Sequence, residues 1–116
     1  MHDQRLRPVE RLRCPSAYQH VFEHGEKLVG SLFILYILST SEPLSRLGIA
    51  VSRRIGNAVV RNHIKRCIRE TFRRHKALLT PSCDVVCVAR RSAAGAPCAL
   101  YTPQFLVLLQ RCQRLV

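Results

Sequence analysis

The sequence predicts an α+β domain, a compact two-layer sandwich of helices on a small sheet, and three observations lead there. Residues 57–74 repeat with the period of an amphipathic helix. Residues 31–39, 46–52 and 84–89 are short apolar runs rich in β-branched and aromatic side chains, the composition of strands. Helix-start and helix-stop residues bracket two further segments, near each end of the chain. At 116 residues the chain is one domain spanning 1–116, long enough for a real core but not for two.

Residues 1–13 are polar and Arg-rich, with Arg5, Arg7, Arg11 and Arg13, and read as a flexible basic arm. Pro15 and Ser16 then start a short helix that Gly25 ends. Tyr18 and Phe22 stand at i and i+4 on it, so both rings share one face, and by spacing alone such a pair belongs to a core. Ser31–Ser39 is apolar on both faces, as in a central strand covered on each side. Phe33, Leu35 and Ile37 line one face; Leu32, Ile34, Tyr36 and Leu38 line the other. A turn over Thr40–Ser45, with Pro43, leads to a strand over Arg46–Ser52, and nearness in sequence predicts an antiparallel hairpin between the two.

Asn57 is positioned to cap the long helix. Stepping in fours along it, Val60, Ile64, Ile68 and Phe72 form an apolar row. Arg61, Lys65, Arg69 and Arg73 form a cationic row, and Asn62, Arg66, Glu70 and Arg74 a polar, mostly basic one. Pro81 breaks this helix, and Asp84–Ala89 is the next strand. After a loop of small residues over 92–97, Thr102 is expected to cap a last helix with Pro103 in its first turn, carrying Phe105, Leu106, Leu108, Leu109 and Cys112. The order read from the residues is helix, two or three strands, basic helix, strand, helix.

Charge narrows the function. Sixteen arginines and three lysines oppose seven acids, for a net charge of +12, and eight of those cations fall between Arg53 and Arg74. Solubility alone would not concentrate them, so a polyanionic partner is expected, nucleic acid before an acidic membrane surface. Guanidinium forks match phosphates and stack on bases. No apolar run approaches the roughly 18 residues of a membrane span, and no apolar segment follows the amino-terminal charges, so a cytoplasmic location is expected. The six cysteines contain no C-x-x-C pair, and Cys83 and Cys87 would lie about 13 Å apart on one strand. All six are expected to be small buried hydrophobes in a reducing compartment, without disulfide or metal.

Catalytic chemistry is hard to find. Asp3, Glu10, Glu23, Glu26, Glu42, Glu70 and Asp84 form no cluster of the kind that holds metal ions for phosphodiester cleavage. His20 and His24 are four apart, but no third ligand accompanies them, and neither a P-loop nor G-x-G-x-x-G occurs. The residues supply means to bind RNA or DNA and almost none to cut it.

The stretch from Arg53 to Glu70 resembles the motif of the protein subunit of bacterial ribonuclease P. The matching positions are Arg53, Arg54, Gly56, Ala58, Val59, Arg61, Asn62, Lys65, Arg66, Arg69 and Glu70. The likeness extends to Tyr18–Gly25, Leu32–Tyr36, Arg46–Ser52 and Val85–Arg90. It implies the order α-β-β-β-α-β-α, with the basic helix in a left-handed β-α-β crossover. It also implies a partner, the catalytic RNA subunit, contacted by Arg53, Arg54, Arg61, Asn62, Lys65, Arg66 and Arg69. A second implied partner is precursor tRNA, whose 5′ leader would lie against Tyr18, Phe22 and Tyr36. No cofactor is expected on the protein itself; magnesium is expected for the RNA-catalysed reaction. Two alternatives are weaker: a ribosomal or assembly RNA-binding protein, which fits the charge but not the motif, and a helix-turn-helix DNA regulator, which lacks the preceding helix.

Overall fold

The computed structural model describes residues 8–79 and 81–112. Among them are helices α1 (Pro15–His24), α2 (Ala58–His75) and α3 (Tyr101–Arg111), and strands β1 (Glu26–Val29), β2 (Phe33–Ser39), β3 (Arg46–Ala50) and β4 (Cys83–Ala89), in the order α1-β1-β2-β3-α2-β4-α3. The strands form one sheet of order β1-β2-β4-β3. β1 and β4 both pair antiparallel with β2, and β3 runs parallel to β4. α2 is thus the crossover helix between two adjacent parallel strands.

The expected β2–β3 hairpin does not form, because β4 lies between them. β4 is buried from Cys83 to Cys87 on both its faces, so it takes a central place that loop length alone does not reveal. Residues 40–45 span the two strand spacings, about 10 Å, and clasp the entry of β4. Thr40 N–H donates to Ser82 O at 3.0 Å, and Cys83 N–H donates to Ser45 Oγ at 3.0 Å. Arg46 and Asp84, paired in the β3/β4 register, add a two-bond ion pair at 2.9 and 2.7 Å. That carboxylate, with burial opposing, raises the Arg46 pKa above its usual value.

Alternation along the strands sorts the molecule into two sides. Phe33, Leu35 and Ile37 of β2 and Cys83, Val85, Cys87 and Ala89 of β4 join Ile64, Cys67, Ile68 and Phe72 of α2 and Tyr101, Phe105, Leu108 and Leu109 of α3 in the main core. This is the two-layer sandwich. The other face carries a small second cluster of Leu12, Val21 and Val86, against which Tyr18, Phe22, Tyr36, Leu38 and Val88 are only partly buried. Among the described residues α1 is the sole α-helix on that side.

α1 begins at Pro15, and its Gly25 N–H closes the last turn on Val21 O at 2.8 Å. α3 begins at Tyr101 with no side-chain cap, because a 3₁₀ turn over Cys98–Leu100 feeds straight into it. Thr102 therefore lies inside the helix rather than capping it. Pro103 still falls in the first turn, where a missing N–H costs nothing. Much of the apolar character of α3 is accounted for by deep packing of Tyr101, Phe105, Leu108 and Leu109, whereas Val107 stays exposed.

Two further expectations are corrected. Residues 8–13 are docked, not loose: Leu12 is buried, its N–H donates to Leu47 O at 3.0 Å, and Glu10, 2% exposed, is ion-paired with Lys76. Residues 1–7 of the predicted arm lie outside the described residues. The cysteines also divide. Cys83, Cys87 and Cys112 are buried as expected, but Cys14 is exposed, and Cys67 is disulfide-bonded to Cys98, 31 residues away, across a Cα separation of 5.2 Å. Motif spacing could not reveal that pair, since the fold brings the turn ahead of α3 against the middle of α2.

Candidate nucleic-acid interface

The approach to α2 is built from local hydrogen bonds. Ser52 Oγ accepts from Arg54 N–H at 3.2 Å and shapes a 3₁₀ turn over Arg53–Ile55, leaving Arg53 and Arg54 exposed. Asn57 Oδ1 then accepts from Val60 N–H at 3.0 Å, the cap expected from sequence. Arg61 folds back so that its Nε donates to Gly56 O at 3.2 Å, tying the helix to that turn.

Along α2 the apolar row is buried from Ile64 onward, with Val60 half-buried, and Cys67 and Thr71 widen the buried stripe. Arg61, Lys65 and Arg69 are half-buried at its flank, while Asn62 and Arg66 are exposed. Glu70 turns away from Arg66 and pairs with Arg73 at 2.9 Å and Arg74 at 2.8 Å. The hydrogen bond from Arg73 is the main reason its carboxyl sits below the usual range.

The aromatic residues sit on the other side of the sheet, and Tyr18 reaches its edge. β3 is an edge strand, and its outward groups are covered rather than bare. Leu47 O is taken by Leu12 N–H, and Ile49 N–H donates to the Tyr18 hydroxyl at 3.1 Å. The Tyr18 ring rests on Gly48 so closely that a Cβ there would stand 2.7 Å from Cζ. The Tyr18 hydroxyl thus acts as an edge cap.

Around this edge opens a cleft of about 210 Å³ lined by Arg11, Leu12, Tyr18, Leu47, Ile49, Lys65 and Arg69. It joins the two candidate sets, since Tyr18 comes from α1 and Lys65 and Arg69 from α2. Phe22 and Tyr36 are next to one another instead, edge to face with centroids 4.8 Å apart, and Lys27 Nζ stands 5.9 Å from the Tyr36 centroid. Arg53, Arg54, Arg61, Asn62 and Arg66 do not line the cleft; they extend the cationic surface along α2 and the turn before it. Arg11 is the residue that sequence reasoning left in the arm without a role. Its Nε is buried with no hydrogen-bond partner among the described residues. The crowding of arginines at the amino end was the available signal.

Three carboxylates that catalysis could have drawn on are engaged by basic partners: Glu10 by Lys76, Asp84 by Arg46, and Glu70 by Arg73 and Arg74. No helix among the described residues is long and apolar enough to cross a membrane.

These features define a class: small basic α+β proteins built around a cationic crossover helix. The Ribonuclease P family model matches residues 6–113. The chain is 40% identical over 85 residues to the ribonuclease P protein component of Exiguobacterium sibiricum, covering 72% of this chain and 73% of that one. It is 34% identical over 106 residues to that of Syntrophus aciditrophicus, covering 91% and 89%. The solved RNase P protein of Staphylococcus aureus superposes with a TM-score of 0.83 at 29% identity, over 92% of this chain and 98% of that one. That of Thermotoga maritima gives 0.79 at 31%, over 90% and 98%. The chain belongs to the ribonuclease P protein family. It is a subunit of a ribonucleoprotein endoribonuclease, and its partner is the ribonuclease P RNA.

Proposed function

We propose that this subunit binds the catalytic RNA through Arg53, Arg54, Arg61, Asn62, Lys65, Arg66 and Arg69, and holds the 5′ leader of precursor tRNA against Tyr18, Phe22 and Tyr36. Leader removal then yields the mature tRNA 5′ end, with the reacting centre in the RNA and magnesium supplied there, in the cytoplasm. The observation that carries this reading is the shared cleft: Tyr18 from α1 faces the same opening as Lys65, Arg69 and Arg11. An unpaired strand needs both kinds of contact, cations for its phosphates and ring faces for bases of varied sequence. Arg11, from the segment before α1, adds a third cation to that opening.

Mixing the chain with a bacterial ribonuclease P RNA and labelled precursor tRNA at low magnesium should release leader at a rate neither component gives alone. Cations between two polyanions relieve their repulsion, so the gain should shrink as magnesium rises. No stimulation at low magnesium, or cleavage by the chain alone, would overturn the proposal. Replacing Arg61, Lys65 and Arg69 together with Ala should lower the slope of log affinity against log salt by about two to three. An unchanged slope would remove these residues from the interface.

A further inference from the structure

His63 and Cys67 are four apart on α2 and therefore share a helix face, and Cys98 meets them from the turn ahead of α3. One ligand atom from each lies within 4.8 Å of the other two. His63 Nε2 stands 3.5 Å from Cys67 Sγ. A tetrahedral ion with bonds of about 2.3 Å to sulfur and about 2.0–2.1 Å to nitrogen holds such atoms about 3.6 Å apart, so this pair is already at chelating distance. Cys67 and Cys98 meet as a disulfide. His63 and Cys98 are exposed, whereas Cys67 is buried at their base, which leaves one side of the cluster open to solvent.

We propose that, once the Cys67–Cys98 bond is reduced, His63, Cys67 and Cys98 bind one thiolate-favouring divalent ion of the zinc class. Reduction is a thiol exchange. A dithiol gives two electrons and two protons to the protein disulfide, leaving two cysteine thiols and the oxidised dithiol. The ion then displaces one proton from each thiol and takes the neutral imidazole nitrogen, with water in the fourth position. Two sulfurs and an imidazole select a soft or borderline ion over magnesium or calcium, which prefer oxygen. Disulfide and ion are alternative clips between the same two segments, α2 and the turn at Cys98, and each excludes the other because the bonded sulfurs are not thiolates.

The test uses the full chain, oxidised or reduced under anaerobic conditions, with cobalt(II) as a spectroscopic stand-in and zinc in competition with a coloured chelator. The reduced chain should take up one ion and show the thiolate-to-cobalt absorption band, while the oxidised chain should show neither. Cys98→Ser, a change at an exposed position, should weaken zinc binding about a hundredfold, and His63→Ala about tenfold or more. His20→Ala should leave binding unchanged, although His20 and His24 also lie close, with ring centroids 4.8 Å apart. Zinc should raise the melting temperature of the reduced chain and not of the Cys98→Ser variant. Equal zinc affinity in the reduced chain and Cys98→Ser would overturn the proposal, as would loss of binding in His20→Ala. None of these readouts involves RNA, so the outcome is independent of the functional reading above.

Discussion

The two sides of the sheet are made from the same four strands and could hardly differ more. On one, α2 and α3 enclose a continuous core in which Phe33, Leu35, Ile64, Phe72, Val85, Leu108 and Leu109 are nearly inaccessible. On the other, α1 covers only Leu12, Val21 and Val86, and the rings of Tyr18, Phe22 and Tyr36 stay partly exposed. The closed side supplies rigidity, and the open side supplies surface. They meet at the capped edge of β3, where Tyr18 from the open side and Lys65 and Arg69 from the closed side's helix line one cleft. The cleft thus joins one ring, Tyr18, to cations from both sides, Arg11 on one and Lys65 and Arg69 on the other.

Substituting one aromatic residue on each side should break the comparison most visibly. Phe72 is 1% exposed in the main core, so Phe72→Ala should cost about 3–5 kcal/mol in denaturant unfolding, a transfer loss plus a cavity. Phe22→Ala removes a half-buried ring beside Tyr36 and should cost about 1–2 kcal/mol. The functional order should reverse: at a temperature where both variants are folded, Phe22→Ala should weaken binding of precursor tRNA more than of mature tRNA. Equal losses for the two substrates would return Phe22 to a purely packing role.

A polar contact makes the second test. Arg46 and Asp84 face each other across the parallel β3/β4 junction, and the Asp84 side chain is only 8% exposed. Arg46→Ala leaves a carboxylate with little water and no cation, and should cost about 2–3 kcal/mol, less than a fully enclosed pair because Arg46 itself reaches solvent. Arg46→Lys keeps the charge but loses the two-pronged geometry, and should recover only part of the stability. Full stability in Arg46→Ala would mean that strand pairing alone fixes this junction.

The legible parts of the fold are those set by local chemistry. Asn57 had to cap something, and the fours-spaced row from Val60 to Phe72 had to face a core; both stand as read. Strands β2, β3 and β4 were readable from composition to within two residues at each end. What failed was long-range. The place of β4 between β2 and β3 depends on which strand gains most from burial on two faces, a competition among segments far apart in sequence that periodicity does not record. The Cys67–Cys98 pair depends on the same tertiary route. In the site, the cations of α2 were visible because helical periodicity groups them, and their placement with Tyr18 was not, because it requires knowing that α1 reaches the β3 edge. Glu10 and Leu12 were hidden in a segment that looked like a tail, since one buried leucine and one ion pair leave no periodic trace.

The smallest effect probes the cationic face itself. Glu70 is the only acid on α2, and it engages Arg73 and Arg74, the last arginines of that helix. Arg73 holds its carboxyl below the usual range, so the ionised form is favoured in the folded state. A lowered folded pKa means the stabilisation is present above the unfolded value, about 4.3, and disappears as pH falls through the folded one. Two partly exposed helix pairs of this kind are worth about 0.5 kcal/mol together after solvent screening. Glu70→Gln should therefore lose about 0.5 kcal/mol at pH 7, and the gap to the unsubstituted chain should close in acid below about pH 4. RNA affinity should move the opposite way. Removing the carboxylate raises the net charge by one and turns two guanidinium groups toward any phosphate within reach, so binding should tighten and become more sensitive to salt. If stability falls while affinity and salt slope stay fixed, the polyanion stops short of Arg73, and the interface ends near Arg69, where the cleft does.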